Sequence, residues 1–175
     1  LEDMNARTKL RSALQAYPET TYLLTGLLRR SVGEDGTEAY HNSLVGLDAG
    51  LTDVMTFDKF HLVPFGEYMP LQKYIPIGPV IGFSGFSSGA GPETKSLTGL
   101  PPFSPLVCYE VIFPGEVTAP LLQDQPHPEW MVNVTNDAWY GVSPGPYQHL
   151  GQSMYRAIEE GLPMVRATNT GFSAV

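Results

Sequence analysis

Cys108 is the one thiol in 175 residues, and it closes the apolar run Ser104-Pro105-Leu106-Val107 just ahead of Tyr109-Glu110. Pro114-Gly115 follows within a few residues, a place where a helix can begin. A thiol at a strand-to-helix elbow faces the positive end of the helix, which favours the thiolate. Acyl transfer through sulfur needs that thiolate, a donor for the developing oxyanion and a group that moves protons. The Tyr109 backbone N–H, next after the sulfur, is a natural first oxyanion donor. Lys59, in Asp58-Lys59-Phe60-His61-Leu62-Val63-Pro64-Phe65-Gly66-Glu67-Tyr68, is a candidate second donor whose cation also favours ionised sulfur. A Glu67 carboxylate beside Lys59 keeps that amine charged and oriented.

Each of these residues also has a plainer use. A lone cysteine serves as a small buried apolar group, and a strand lysine as a solvated edge charge. Glu67 fits a surface charge after a turn, and Glu110 fits a cap on the following helix. Trp139 and Tyr140 suit either the core or a pocket wall. Arg156 and Glu159, three apart on a helix, suit a mutual ion pair. Arg166, Asn169 and Gly171 suit the fixing of a turn. Asn133-Val134-Thr135 matches a glycosylation sequon, but it falls in a buried strand and is discounted.

The elements that must position these groups follow from pattern. Residues 3–16 fit an amphipathic helix with Asp3 as cap, an apolar stripe of Met4, Leu10, Ala13 and Leu14, and Pro18 as terminator. Strands are expected over Thr21–Leu28 and Ala39–Leu47, joined as a hairpin through Gly33-Glu34-Asp35-Gly36, and over Val54–Val63, carrying Lys59. A Pro/Gly-rich segment from about residue 74 to 103 holds Tyr74, Ile75, Ile77, Val80, Ile81, Phe83 and Phe86, too many large apolar groups for a disordered linker. It reads as an ordered excursion beside a pocket, its apolar content facing lipid or packed on the core. Strand and helix then alternate: Leu106–Tyr109, a helix near Gly115–Gln123, Trp130–Val134, a loop over 136–146, a helix Tyr147–Glu160 closed by Gly161, and Met164–Ala167. The alternation implies one layered α/β domain over residues 1–175.

Bulk composition narrows the function classes. Residues of hydrophobic type make up 42%, enough for a core, and one cysteine precludes an internal disulfide. A net charge of −8, with ten scattered Lys and Arg, argues against nucleic acid as a partner. No run of about eighteen apolar residues is present to cross a membrane. The histidines lack metal-ligand spacing, so neither a metal nor another cofactor is expected.

Three distant strings carry a resemblance: His61-Leu62-Val63-Pro64-Phe65-Gly66-Glu67-Tyr68, Cys108-Tyr109-Glu110, and Asn136-Asp137-Ala138-Trp139 with Arg166-Ala167-Thr168-Asn169 downstream. From about residue 21 onward the chain resembles the nitrilase (carbon–nitrogen hydrolase) superfamily, most closely its apolipoprotein N-acyltransferase branch. The resemblance implies an α-β-β-α sandwich and a Glu-Lys-Cys triad. Motif by motif, Cys108 takes the nucleophile's place and Lys59 the lysine's. Glu67 matches a second glutamate near the site, Tyr109 and Glu110 match the residues after the nucleophile, and Trp139 falls in a loop over the pocket. The base glutamate of that pattern, in a Trp-Pro-Glu-type segment, has no match here, and Glu2 is not assigned to it. The implied reading is a partial catalytic domain, incomplete at both ends and inactive alone.

By the same resemblance, the acyl donor is a phospholipid and the acceptor the terminal cysteine amine of a diacylglyceryl lipoprotein. The implied location is the periplasmic side of a bacterial inner membrane, with membrane contact through other segments and the 74–86 loop. Three alternatives stay open: an amide or nitrile hydrolase of the same superfamily, a non-catalytic binding module, and a Cys-His hydrolase using His149 or His61.

Overall fold

The computed structural model describes residues 4–70, 85–119 and 126–175. Helix α1, Met4–Gln15, buries Leu14 and ends ahead of Pro18. Strands β1 (Leu23–Val32), β2 (Glu38–Leu47) and β3 (Asp53–Asp58) form an antiparallel sheet in sequence order. The Thr, Tyr and Leu content of residues 21–28 suggests a buried strand, but β1 is half-buried, with its outward Leu28 and Val32 exposed. The β1–β2 turn uses Gly36 at φ +80°, a conformation open to glycine at little cost.

A second sheet holds β4 (Phe103–Val107), β5 (Trp130–Thr135) and β6 (Met164–Thr168), all parallel, in that order. β4 is buried along its whole length, as a strand covered on both faces should be. Leu44, Met55 and Phe57 of the first sheet pack with Phe103, Val107, Val132 and Val134 of the second. Gly26 on β1 packs toward Val134, whose Cγ2 would be in ordinary contact, 3.5 Å, with an added Cβ. Helix α2, Gly145–Glu160, lies on the other side of the second sheet, where Ala157 joins Leu106, Val111, Met131 and Met164. Gly161 caps it in the left-handed conformation, φ +66°. Two facing sheets with a helix outside thus give the layered α/β arrangement the alternation implied.

Local differences concentrate around the chemically interesting residues. β3 stops at Asp58, so Lys59 lies just past the strand and not within it. Lys59 N–H still bonds Asn42 O of β2 at 2.8 Å, and the donors leave the ladder one residue later, where Phe60 N–H goes to a side chain. β4 ends at Val107, and Cys108–Ile112 is a 3-10 helix that starts at the cysteine itself. No helix starts at Gly115 through Ala119, and the rest of that expected helix lies outside the described residues. A further 3-10 helix, Asp137–Tyr140, interrupts the loop before α2.

Of the Pro/Gly-rich excursion, Tyr74, Ile75, Ile77, Val80, Ile81 and Phe83 lie outside the described residues. Its return is ordered against the Lys59 loop, with Phe86 N–H on Glu67 O at 2.8 Å and Gly89 N–H on Lys59 O at 2.8 Å.

Candidate active site

Parallel strands deliver their carboxyl ends to one edge, and Val107 pairs with Val134 at the ends of β4 and β5. Cys108, the Asp137–Tyr140 turn and Thr168 therefore emerge on the same side. Cys108 is half-buried and turns sharply out of β4 at φ +51°, a region disfavoured for a residue with a Cβ. Its carbonyl accepts from Asn133 Nδ2 at 3.4 Å and faces His149 Nε2 at 3.3 Å. Tyr109 sits in the first turn of the 3-10 helix, where no intrahelical acceptor exists for its N–H.

Lys59 is 1% exposed, and its Nζ lies 2.5 Å from Glu67 Oε2. Glu67 is itself buried and further held by Asn42 Nδ2 on Oε1 at 2.9 Å and Val63 N–H on Oε2 at 2.8 Å. The pair is therefore matched in charge and hydrogen-bonded on both carboxylate oxygens, as a buried ion pair must be to persist. Neither residue is a surface charge. The ammonium stands 6.0 Å from the centre of the Tyr109 ring, the residue next to Cys108. Lysine and cysteine segments thus meet at one place.

Glu110 brings them there. It is fully buried and does not cap a later helix. Its Oε1 accepts Phe60 N–H at 2.7 Å and His61 N–H at 3.3 Å, and its Oε2 accepts Val107 N–H at 2.7 Å. One carboxylate thereby ties the residue after Lys59 to the residue before Cys108. Burial pushes its pKa up to about 7, against the pull of those three N–H groups and of Lys59. His61 adds a second tie, stacking on Phe113 at 4.0 Å and pairing with Glu116.

Trp139 lies on the 3-10 turn after β5 and is 78% exposed, so it belongs to the rim and not to the core. Arg156 pairs with Glu159 at 2.8 Å, the structural use its spacing implied. Asn133 is fully buried, with its amide occupied, which suits no glycan. Gly171, at φ +103°, lets Asp137 approach so closely that an added Cβ would lie 2.5 Å from Oδ2.

A cluster under Cys108 escaped the sequence reading. Asp137 Oδ1 lies 2.8 Å from His149 Nδ1, and Arg166 Nη2 donates to Asp137 Oδ2 at 3.0 Å. Arg166 also donates to Asn133 Oδ1 and, at 3.1 Å, to Ser153 Oγ. Burial, then the Arg166 charge, holds the His149 pKa below its usual value. The signal available was a histidine on the inward face of an amphipathic helix, twelve residues after an Asp at a turn. Among the described residues no group of His, Cys, Asp and Glu could hold a metal ion.

The family model for carbon–nitrogen hydrolases matches residues 6–175. The chain is 46% identical over 167 residues to an apolipoprotein N-acyltransferase of Rhodopseudomonas palustris, a match covering 90% of this chain and 30% of that protein. It is 44% identical over 168 residues to the protein of that name from Bradyrhizobium diazoefficiens, again 90% of this chain and 30% of the relative. Among solved structures it is similar to an amidase of the nitrilase superfamily from Nesterenkonia AN1, with TM-score 0.54 and 22% identity over 94% of this chain and 52% of that one. The chain spans about 30% of the length of the curated relatives it matches.

Proposed function

The chain belongs to the carbon–nitrogen hydrolase family, and from that premise we propose that it is the thiol-bearing part of an apolipoprotein N-acyltransferase. The observation that carries the reading is the Glu110 tie, which sets the buried Lys59–Glu67 pair beside the Cys108 turn. Identity of 46% and 44% to N-acyltransferases supports transfer over hydrolysis.

Cys108 Sγ attacks the ester carbonyl carbon of a phospholipid. The oxyanion that forms is met by the dipole of the Tyr109 N–H and the positive charge of the Lys59 ammonium. Its collapse breaks the ester C–O bond and leaves a thioester, and the departing lysophospholipid oxygen takes up a proton. The terminal amine of a diacylglyceryl lipoprotein then attacks the thioester, an amide forms, and the thiol is released. Glu67 holds Lys59 in place and charged. The family's base glutamate, which moves these protons, has no counterpart among these residues.

Exposed Phe65 and Trp139, on the two loops flanking the site, support an acyl chain as substrate. The described residues include no helix long and apolar enough to cross a membrane. The likeness to N-acyltransferases supports an inner-membrane setting, periplasmic face, for the whole protein. Incubating the full-length protein with a radiolabelled phospholipid should yield a hydroxylamine-sensitive thioester on Cys108. Ammonia release from small amides, without thioester formation from phospholipid, would favour an amide hydrolase in its place.

A further inference from the structure

His149, Asp137, Arg166 and Asn133 are all buried, come from α2, the turn after β5, β6 and β5 respectively, and have no part in the chemistry above. Two of them converge on one atom. Asn133 Nδ2 and His149 Nε2 both face the Cys108 carbonyl oxygen, at 3.4 and 3.3 Å. A carbonyl can only accept, so His149 Nε2 carries a proton and donates in either charge state. Nδ1 lies between Asp137 Oδ1 at 2.8 Å and Arg166 Nη2 at 3.1 Å, accepting from Arg166 when the ring is neutral and donating to Asp137 when it is charged, so the ring is fixed in either state.

The Cys108 carbonyl and the Tyr109 N–H are opposite ends of one planar trans peptide group. Whatever pins the oxygen also aims the N–H, and donation to the oxygen polarises the N–H. Left-handed Cys108 takes this peptide out of the β4 ladder and into the first turn of the 3-10 helix, where its N–H has no partner within the helix. We propose that His149, backed by Asp137 and Arg166, is a positioning residue that orients and polarises the Tyr109 N–H as oxyanion donor. The proposal rests on the acyl-transfer reading only in needing Cys108 as nucleophile, and it holds for either donor, ester or amide.

The test uses hexadecanal on the full-length protein. Cys108 Sγ adds to the aldehyde carbon, the thiol proton passes to the oxygen, and that oxygen occupies the donor site. Protection of Cys108 from iodoacetamide gives the aldehyde affinity, and the unprotected alkylation rate reports access to the thiol. In His149→Leu, aldehyde affinity should fall about 10- to 100-fold, less than outright removal of a donor, while alkylation stays within about threefold. His149→Gln, whose amide nitrogen reaches the place of Nε2, should recover affinity to within about threefold. If the leucine variant does not fold, His149→Asn, which reproduces only Nδ1, replaces it. Parallel loss of both readouts, a Gln variant no better than Leu, or unchanged affinity in Leu overturns the proposal. Wild-type protein that binds no aldehyde overturns it together with the nucleophile assignment. Aldehyde protection without thioester formation from phospholipid sinks only the acyl-donor part of the proposed function.

Discussion

The Glu110 carboxylate accepts the backbone N–H of Phe60, 50 positions upstream, at 2.7 Å in a fully buried setting. Its other oxygen holds Val107 N–H at 2.7 Å. The lysine loop and the cysteine turn are therefore registered against each other by one side chain whose both oxygens face donors. Glu110→Gln turns an NH2 group toward one of those N–H groups and leaves a buried donor unmet. Loss of about 1–3 kcal/mol of stability is expected in urea unfolding. Acyl transfer should fall by more than that loss explains, since Lys59 and Cys108 lose their common tether.

The same residue gives a pH dependence with a definite sign. Its folded pKa, about 7, lies above the ordinary 4.5, so the folded state holds more protons than the unfolded one between those values. Unfolding free energy therefore declines as pH rises from about 4.5 to about 7 through this group. Asp58 acts in the opposite sense: burial alone would raise its pKa, but Arg29 and Ser43 hold it low, so its contribution is lost only in strong acid. Denaturation midpoints of wild type and Glu110→Gln, compared across pH 4–8, isolate the Glu110 part. A wild-type slope equal to the variant's would contradict the assignment.

The strands and both helices were legible because composition, periodicity and terminators are local: Pro18 after α1, Gly161 after α2, the Thr, Tyr and Leu content at the start of β1. Cys108, Lys59 and Glu67 stood out because short strings surrounded them, and the structure brings Lys59 and Glu67 together beside the residue that follows Cys108. The ends of β3 and β4 were misplaced because side chains from far away capture the backbone there, and a local pattern carries no trace of Glu110 reaching Phe60. The Asp137–His149–Arg166 cluster was missed for the same reason. Its members lie on three elements and meet only after the second sheet and α2 have packed.

Lys59→Met should cost about 3–5 kcal/mol, because Glu67 is left charged and buried without its partner. Pairing it with Glu67→Gln should recover most of that cost, as the stranded charge is then removed. Activity should not recover, and a fall of at least about 100-fold is expected in both, since the proposed oxyanion donor is gone. Guanidinium denaturation together with thioester formation separates the two effects. A double variant with restored transfer would remove Lys59 from the chemistry.

Gly89→Ala probes the lysine loop without removing a charged group. Its added Cβ would fall 2.0 Å from the Asp58 carbonyl oxygen, a backbone atom that cannot rotate away. The loop must retreat, and the Gly89 N–H bond to Lys59 O, 2.8 Å, stretches with it. A stability loss of about 1–3 kcal/mol is expected from thermal unfolding. Slower transfer at unchanged Cys108 alkylation should accompany it.

Cys108 itself is held where a Cβ is disfavoured, at φ +51°. Strain of about 1–2 kcal/mol attends such a residue, and it persists because Asn133, His149 and Glu110 fix the backbone on both sides. Glycine relieves that strain and alanine does not, although both remove the sulfur. Cys108→Gly should therefore be more stable than Cys108→Ala by about 1 kcal/mol, the reverse of their order in an ordinary strand or helix. Differential scanning calorimetry of the two inactive variants measures the difference directly. An alanine variant as stable as the glycine one would mean that the turn relaxes once the thiol is gone, and that the elbow is not imposed by the surrounding sheet.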